Sequence, residues 1–244
     1  MKRKTRNIIL GILTIIGLVF GGLLGYLSDS YPPTEEAIQA LKSSPAVRVE
    51  EKKDYQAFIP EEGLGKTGLI FYPGGKVDAD AYAPLLKRLA EEGIASYLVK
   101  MPFNLAVLNS KGADQVIETE KDIEDWYLAG HSLGGAMAAS YAANHPDELT
   151  GLILLAAYST KDLSRSNLAV LSIYGSNDEV LDLEKYQENR TLVPQMQEVL
   201  LEGGNHAQFG DYGRQVGDGQ AEMTMDEQME KTVEAIRQFV KNKE

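Results

Sequence analysis

The chain of 244 residues contains no cysteine, one tryptophan and only three histidines. The absence of cysteine excludes disulfide bonds, thiolate metal sites and a cysteine nucleophile. The histidines are His131, His145 and His206, which leaves few combinations for imidazole chemistry or a zinc site. Any mechanism that uses an imidazole must therefore use one of these three positions.

Positive charge is scarce outside the first residues of the chain. All four charges before Asp29 are positive (Lys2, Arg3, Lys4 and Arg6), and the remainder has 20 basic against 36 acidic residues, a net charge of −16. Because nucleic-acid binding draws much of its affinity from neutralised phosphates, so acidic a body argues against nucleic acid as a partner.

One long apolar run extends from Ile8 to Leu27, twenty residues without a charge. A helix of that length measures about 30 Å, the thickness of the hydrocarbon core of a bilayer. The basic residues before it and Asp29 after it predict a single-pass anchor within residues 1–29, with the N-terminus cytoplasmic and the rest outside the cell membrane. The alternative is a signal peptide cleaved near Ser28–Ser30, which would release a secreted domain.

Three glycines within this run, Gly17, Gly21 and Gly25, recur every four residues and would share one helix face. Small residues at this spacing let two membrane helices approach closely, so the pattern predicts a homodimer formed through the anchor. The alternative is that glycine is common in any membrane-spanning helix.

The rest of the chain alternates strand and helix patterns. After a linker at residues 30–45, residues 46–50 and 55–59 alternate apolar and polar positions, which predicts an antiparallel hairpin. Six short apolar runs have the pattern of strands buried on both faces: Gly68–Tyr72, Ala95–Val99, Trp126–Ala129, Leu152–Ala156, Ala169–Tyr174 and Glu198–Leu201. Helical patterns occupy Tyr82–Glu92, Gly134–Asn144 and Met225–Lys241. We therefore expect one α/β domain over residues 46–244, with a mostly parallel sheet and helices on both faces.

A G-x-S-x-G pattern, Gly130 to Gly134, lies between a predicted strand and an Ala-rich helix. Glycines on both sides would let Ser132 adopt a strained backbone that exposes its hydroxyl, and the N–H of Leu133 would point toward a developing oxyanion. The sequence thus predicts a nucleophilic serine, and the alternative is an ordinary turn of small residues.

A serine nucleophile needs a base and an orienting acid, and candidates for both follow later strands. Asp178 comes after the run ending at Tyr174, and His206 comes after the run ending at Leu201, so both fall at carboxyl ends of predicted parallel strands. Glu179 and Asp182 are rival acids, and Asp178 is preferred. The other two histidines precede any of these acids in the chain.

A second oxyanion donor is expected in the glycine-rich loop after Gly68–Tyr72. Gly75 is the preferred backbone donor and Lys76 the second choice, and the Lys76 side chain could also attract an anionic substrate group. Candidates for walls of the substrate pocket are Phe103, Asn104 and residues after His206 that include Phe209.

Taken together, these motifs resemble the α/β-hydrolase superfamily, and within it the compact "alpha/beta hydrolase fold-5" group, loosely related to dienelactone hydrolases. The stretches that carry the resemblance are FYPGGKVD, MPFNLA, GHSLGGAMAA, IYGSNDEV and GGNHAQFGDYGRQVGDG, from Phe71 to Gly219. The resemblance implies a Ser132–Asp178–His206 triad, an oxyanion hole near Gly75 and Leu133, and hydrolase activity. Dienelactone hydrolases use a cysteine nucleophile, which this chain lacks, so that activity is not carried over.

We therefore expect a membrane-anchored serine hydrolase that acts on a small-molecule or lipid ester, with carboxylesterase activity and an acyl-enzyme intermediate. This chemistry requires neither a metal nor an organic cofactor. The dozen residues before Ala169 are too few for a helical cap, so a minimal cap or none is expected. The alternative function is a catalytically silent α/β-hydrolase fold that serves as a binding or scaffold module.

Overall fold

The computed structural model describes residues 29–62 and 65–242, together with Thr14, Gly17, Leu18, Gly21, Gly22 and Gly25, which are helical. The chain divides into two units, Met1–Ser30 and Tyr31–Glu244. Most of the predicted anchor lies outside the described residues, and no helix within the described part is both long and apolar enough to cross a bilayer. The anchor and the homodimer contact through Gly17, Gly21 and Gly25 therefore stay predictions.

Eight strands of the described chain form one sheet. They are β1 (Val47–Glu51), β2 (Tyr55–Pro60), β3 (Thr67–Tyr72), β4 (Ala95–Val99), β5 (Asp125–His131), β6 (Gly151–Leu155), β7 (Ala169–Gly175) and β8 (Met196–Leu201). Their order across the sheet is β1-β2-β4-β3-β5-β6-β7-β8. The two pairings of β2 are antiparallel, and the other five pairings are parallel. The predicted hairpin and the mostly parallel sheet are confirmed.

Helices cover both faces of this sheet. They are α1 (Glu35–Ala40), α2 (Ala83–Glu91), α3 (Gly112–Thr119), α4 (Leu133–Asn144), α5 (Leu183–Asn189) and α6 (Met225–Lys241). Leu69 and Phe71 of β3 share one buried core with α2 and α6, whereas Ile70 and Tyr72 share the other with α3 and α4. Alternate residues of a strand point to opposite faces, so strands buried on both sides read as continuous apolar runs.

The segment expected as a linker is largely part of the domain. The Tyr31 N–H donates to the Lys76 carbonyl at 2.7 Å, and the Thr34 N–H donates to the Asp211 carbonyl at 2.9 Å. Ala37 of α1 is fully buried. The paired prolines of residues 30–33 suggested a short stiff linker, but the backbone groups of Tyr31 and Thr34 are bonded to the domain.

The topology places a crevice at the carboxyl ends of β3 and β5. From β3 the chain passes to β4 on one side and then returns to β5 on the other side of β3. At such a reversal the loops after the two strands diverge, and ligands of open α/β sheets bind there. Residues 156–168, which connect β6 to β7 and are all described, contain no helix or strand, so no helical cap is inserted at this point.

The loop after β8 is held by a buried glutamine from the first turn of α6. Gln228 accepts a hydrogen bond from the Asn205 N–H through Oε1 at 3.0 Å and donates to the Asn205 carbonyl through Nε2 at 2.8 Å. Its side chain is completely buried. Because both backbone groups of Asn205 depend on it, Gln228 fixes the position of the next residue, His206.

We predict that Gln228→Leu lowers the free energy of unfolding by about 2–4 kcal/mol, because it leaves two backbone groups of Asn205 without their partner. Urea unfolding of the variant measures this loss. Gln238→Leu is the matched control, since Gln238 lies exposed on the same helix and its side chain bonds, among the described residues, only to Glu234. Equal unfolding midpoints for the two variants would contradict the assigned role of Gln228.

Candidate active site

Ser132 lies at a sharp turn between β5 and α4. Its backbone has φ 52° and ψ −121°, a left-handed region that a non-glycine residue adopts only under strain. A Cβ at Gly130 would lie 2.6 Å from the carbonyl oxygen of Gly134, and a Cβ at Gly134 would overlap the carbonyl oxygens of Tyr72 and Pro73. Both flanking glycines are therefore required by close backbone approach, as the G-x-S-x-G pattern predicts.

Asp178 and His206 form a buried pair at the carboxyl edge of the sheet. Nδ1 of His206 lies 2.8 Å from Oδ2 of Asp178, and both side chains are almost fully buried. The other carboxylate oxygen of Asp178 accepts N–H groups from Val180 at 2.9 Å and Leu181 at 2.7 Å. All of these contacts fix the carboxylate in one orientation toward the imidazole.

The two rival acids lie elsewhere. Asp182 caps helix α5 by accepting the Lys185 N–H at 3.0 Å, and Glu179 is exposed to solvent. Among the described residues, Asp178 is the acid whose carboxylate bonds to the His206 ring.

The loops that carry Asp178 and His206 are bonded to each other. The Asn177 N–H donates to the Gly204 carbonyl at 2.8 Å. Asp218 accepts the backbone N–H of His206 at 3.2 Å and of Ala207 at 2.8 Å. Asp218 therefore supports the backbone at His206.

Ser132 and His206 line the same cavity of about 310 Å³. Nδ1 of His206 is bonded to Asp178, whereas Nε2 has no hydrogen-bond partner within the described residues. No hydrogen bond joins Ser132 Oγ to this nitrogen in the described part of the chain. The remaining walls consist mainly of small or apolar side chains: Leu133, Ala136, Ala156, Ala157, Tyr158, Thr160, Val180, Leu181 and Asp182.

Gly75 and Leu133, the two predicted oxyanion donors, lie side by side. A Cβ at Gly75 would lie 2.9 Å from Cδ2 and 3.3 Å from Cβ of Leu133, so the two residues are closely packed. The N–H of Lys76, the second choice, donates to the Asn104 carbonyl at 2.8 Å and is occupied. No hydrogen bond from the Gly75 N–H to another described residue is present, which favours Gly75 over Lys76.

A buried tyrosine, not identified from sequence, connects the Gly75 loop to the turn at Ser132. The Tyr82 hydroxyl accepts the Gly74 N–H at 3.0 Å and lies 2.8 Å from Nδ1 of His131. The ring of His131 in turn lies 4.5 Å from the ring of His206, measured between centroids. Tyr82 therefore ties together the expected oxyanion loop and the ring packed against His206.

Burial, together with the nearby His206, holds the pKa of His131 well below its usual range. His131 therefore stays neutral at neutral pH, and it adds no positive charge beside His206. The third histidine, His145, stacks on Tyr141 at a ring distance of 4.3 Å, away from this site.

None of the four expected substrate contacts lines the cavity that contains Ser132. Phe209 is 2% exposed and packs with its ring centroid 5.7 Å from that of His131, so the structure corrects its role from pocket wall to core. Phe103 and Asn104 have positive φ angles of 53° and 54°, and Phe103 is exposed. Neither these two residues nor Lys76 line the cavity that contains Ser132.

A larger cavity, about 560 Å³, lies between β8 and α6 and contains none of the predicted site residues. It is lined by polar and charged side chains of one helix face together with Val199 and Leu201. Because Ser132 and His206 line the smaller cavity, that cavity is the candidate active site.

One set of side chains in the described chain has the composition of a metal site. Ligand atoms of Asp114, His145 and Glu148 lie within 4.8 Å of one another. The Tyr141 hydroxyl lies 2.6 Å from Asp114 and 2.9 Å from Glu148, and His145 lies 3.1 Å from Glu148. These groups satisfy one another by hydrogen bonds, which accounts for their proximity.

Comparison with solved structures identifies the same fold in several hydrolases. Est1E from Butyrivibrio proteoclasticus has a TM-score of 0.60 at 15% identity, covering 81% of this chain and 98% of that one. An esterase from Pyrobaculum calidifontis has a TM-score of 0.61 at 16% identity, covering 85% of this chain and 89% of that one. At these identities the likeness shows the fold alone.

A putative non-heme haloperoxidase from Mycobacterium phage D29 is 33% identical to this chain over 98 residues. The match covers 36% of this chain and 35% of the relative, so it spans about a third of that protein's length. The model of the alpha/beta hydrolase family matches residues 68–230, which is well over half of the chain and includes Ser132, Asp178 and His206. The chain belongs to the alpha/beta hydrolase family.

Proposed function

We propose that this protein is a serine hydrolase that cleaves carboxylic esters through Ser132, His206 and Asp178. The observation that carries the proposal is the buried Asp178–His206 pair, whose free Nε2 belongs to a ring lining the same cavity as Ser132. A carboxylate on Nδ1 selects the tautomer in which Nε2 accepts a proton. Hydrogen bonds between nucleophile and base are often long or poorly aligned before substrate binds, so the lack of a hydrogen bond between Ser132 and His206 is compatible with this chemistry.

In the proposed reaction, Nε2 of His206 takes the hydroxyl proton of Ser132 as Oγ attacks the ester carbonyl carbon. Negative charge on the carbonyl oxygen is stabilised by the N–H groups of Gly75 and Leu133. The tetrahedral intermediate then expels the alcohol, which receives the proton from Nε2. Water repeats the sequence on the acyl-enzyme, releasing the acid and restoring Ser132.

The cavity favours a neutral ester with a small apolar group. Its volume of about 310 Å³ is modest, and its lining residues include no lysine or arginine that would attract an anionic substrate. Asp182, the one acidic residue of the lining, is paired with Lys185 at 2.8 Å. The similar solved structure from Pyrobaculum calidifontis is described as an esterase, which agrees with this substrate class.

The membrane anchor is part of the same proposal. The uncharged segment Ile8–Leu27 and the basic residues before it support a single-pass protein whose catalytic domain is outside the cytoplasm. We expect the full chain to stay with membranes after alkaline carbonate extraction and a chain lacking residues 1–29 to be released. Release of the full chain would contradict the anchor.

We predict that Ser132→Ala abolishes measurable hydrolysis of p-nitrophenyl esters and that Asp178→Asn lowers kcat about 10³–10⁴-fold, because the imidazole loses its orienting charge. Steady-state kinetics on esters of graded acyl length give both values.

Glu179→Gln is the matched control for the carboxylate. It removes a neighbouring exposed charge without touching the His206 ring, so its kcat is expected within about threefold of wild type. Wild-type activity in Ser132→Ala would mean that another group is the nucleophile. Full activity in Asp178→Asn would mean that Asp178 is not the orienting acid.

We predict that Tyr82→Phe lowers kcat about 10–100-fold while KM changes little, because the loop that carries the Gly75 N–H loses its tie to His131 and transition-state stabilisation is sensitive to such displacement. Two buried polar groups also lose their partner, at a cost of about 1–3 kcal/mol in stability. Kinetics and thermal unfolding separate the two effects.

Tyr97→Phe is the matched control for Tyr82→Phe. Tyr97 is also buried, and its hydroxyl has no hydrogen bond to a described residue. Equal kcat values for the two variants would show that Tyr82 does not position the loop.

A further inference from the structure

The backbone at Tyr31, where the described domain begins, is bonded to loops at the active-site edge. The Tyr31 N–H donates to the Lys76 carbonyl at 2.7 Å, and its carbonyl accepts the Asp78 N–H at 3.0 Å. The Tyr31 hydroxyl accepts the Val216 N–H at 3.1 Å. Tyr31 is therefore fixed between the loop that carries Gly75 and the loop that follows His206.

Little chain separates Tyr31 from the end of the apolar segment. Only Ser28, Asp29 and Ser30 lie between Leu27 and Tyr31. An extended chain covers about 3.3–3.6 Å per residue, so the Cα atoms of Leu27 and Tyr31 are at most about 14 Å apart. When Ile8–Leu27 spans a bilayer, the loops bonded to Tyr31 must therefore lie close to the lipid headgroups, which occupy about 5–8 Å on each side of the hydrocarbon.

Three large apolar side chains beside these loops are exposed. We define the apolar rim as Phe103, Val107 and Leu108, which are 54%, 56% and 53% exposed. Asn104, next to Phe103, accepts the N–H of Lys76, the same residue whose carbonyl binds Tyr31. Lys76 of the Gly75 loop is therefore bonded both to Tyr31, the first residue of the domain, and to Asn104, the neighbour of Phe103 in the apolar rim.

The segment that carries the apolar rim lacks acidic residues. Residues 100–113 contain two lysines, Lys100 and Lys111, and no aspartate or glutamate, in a chain whose portion from Asp29 onward carries −16. Lys100 is paired with Glu51 at 3.0 Å, which leaves Lys111 as the lysine of this segment that could meet an anionic lipid headgroup. Val216, whose N–H bonds to the Tyr31 hydroxyl, is also 88% exposed.

We propose that the apolar rim inserts into the headgroup region of the bilayer that holds the anchor, so that esters reach Ser132 from the lipid phase. The proposal rests on the proposed anchor and adds the orientation of the domain and the source of the substrate. Phe103 has a strained backbone, with φ 53°, and its apolar ring is exposed. An exposed apolar ring has no favourable partner in water, whereas it would be buried in the headgroup region.

The full chain has no cysteine, so a single introduced cysteine can carry an environment-sensitive fluorophore without background labelling. Val107→Cys reports on the apolar rim, and Leu108→Cys is a second reporter. Glu124→Cys is the matched control, because Glu124 has a similarly exposed side chain at the amino end of β5, the opposite edge of the sheet. The labelled chains are reconstituted in vesicles of phosphatidylcholine and phosphatidylglycerol, with and without brominated acyl chains.

We expect labels at 107 and 108 to emit at shorter wavelength and to lose most of their intensity with brominated lipid, while the label at 124 behaves as in water. Chains that float with vesicles but show equal, water-like emission at 107 and 124 would overturn the rim and leave the anchor intact. A label at 107 that emits at shorter wavelength but is not quenched by brominated lipid would also overturn the insertion of the apolar rim. That result would mean that a second copy of the chain or another protein covers the rim. Chains that do not float would refute the anchor and the rim together. None of these outcomes depends on esterase activity.

Discussion

The left-handed backbone at Ser132 is the constraint on which the site depends. It holds because Gly130 and Gly134 have no side chains, so that α4 can begin in contact with the carbonyl oxygens of Tyr72 and Pro73. The same close approach brings the loop after β3 beside the turn after β5. The geometry that strains Ser132 thus also brings Gly75 into contact with the Leu133 side chain, and the N–H groups of these two residues are the proposed oxyanion donors.

The pair of Asp178 and His206 is supported from several sides. A buried carboxylate is costly unless it is bonded, and Asp178 receives two backbone N–H groups in addition to the imidazole. Around His206, Asp218 and Gln228 hold the loop backbone, and the neutral ring of His131 packs against the imidazole. Several elements distant in sequence therefore converge on one ring, whose second nitrogen stays free of described partners.

Much of the fold and of the reactive set could be predicted from sequence, because short-range patterns determine it. Apolar runs locate the strands to within one or two residues, and strand ends followed by glycines locate Ser132, Asp178 and His206. Helices α3 and α5 could not be predicted, because they are short and their stabilisation comes from tertiary packing. Tyr82, Gln228 and the corrected position of Phe209 depend on contacts between elements far apart in the chain, and the occupied N–H of Lys76 depends on the path of the loop at Asn104. No local pattern carries that information.

The proposed mechanism depends on the Ser132 hydroxyl being the nucleophile that His206 activates. Treatment of the folded full chain with a fluorophosphonate, followed by intact mass and peptide mapping, identifies the nucleophile. We expect a single stoichiometric adduct on the peptide containing Ser132, whose rate of formation falls strongly in His206→Ala. An adduct on another residue, or no adduct on the folded chain, would contradict it.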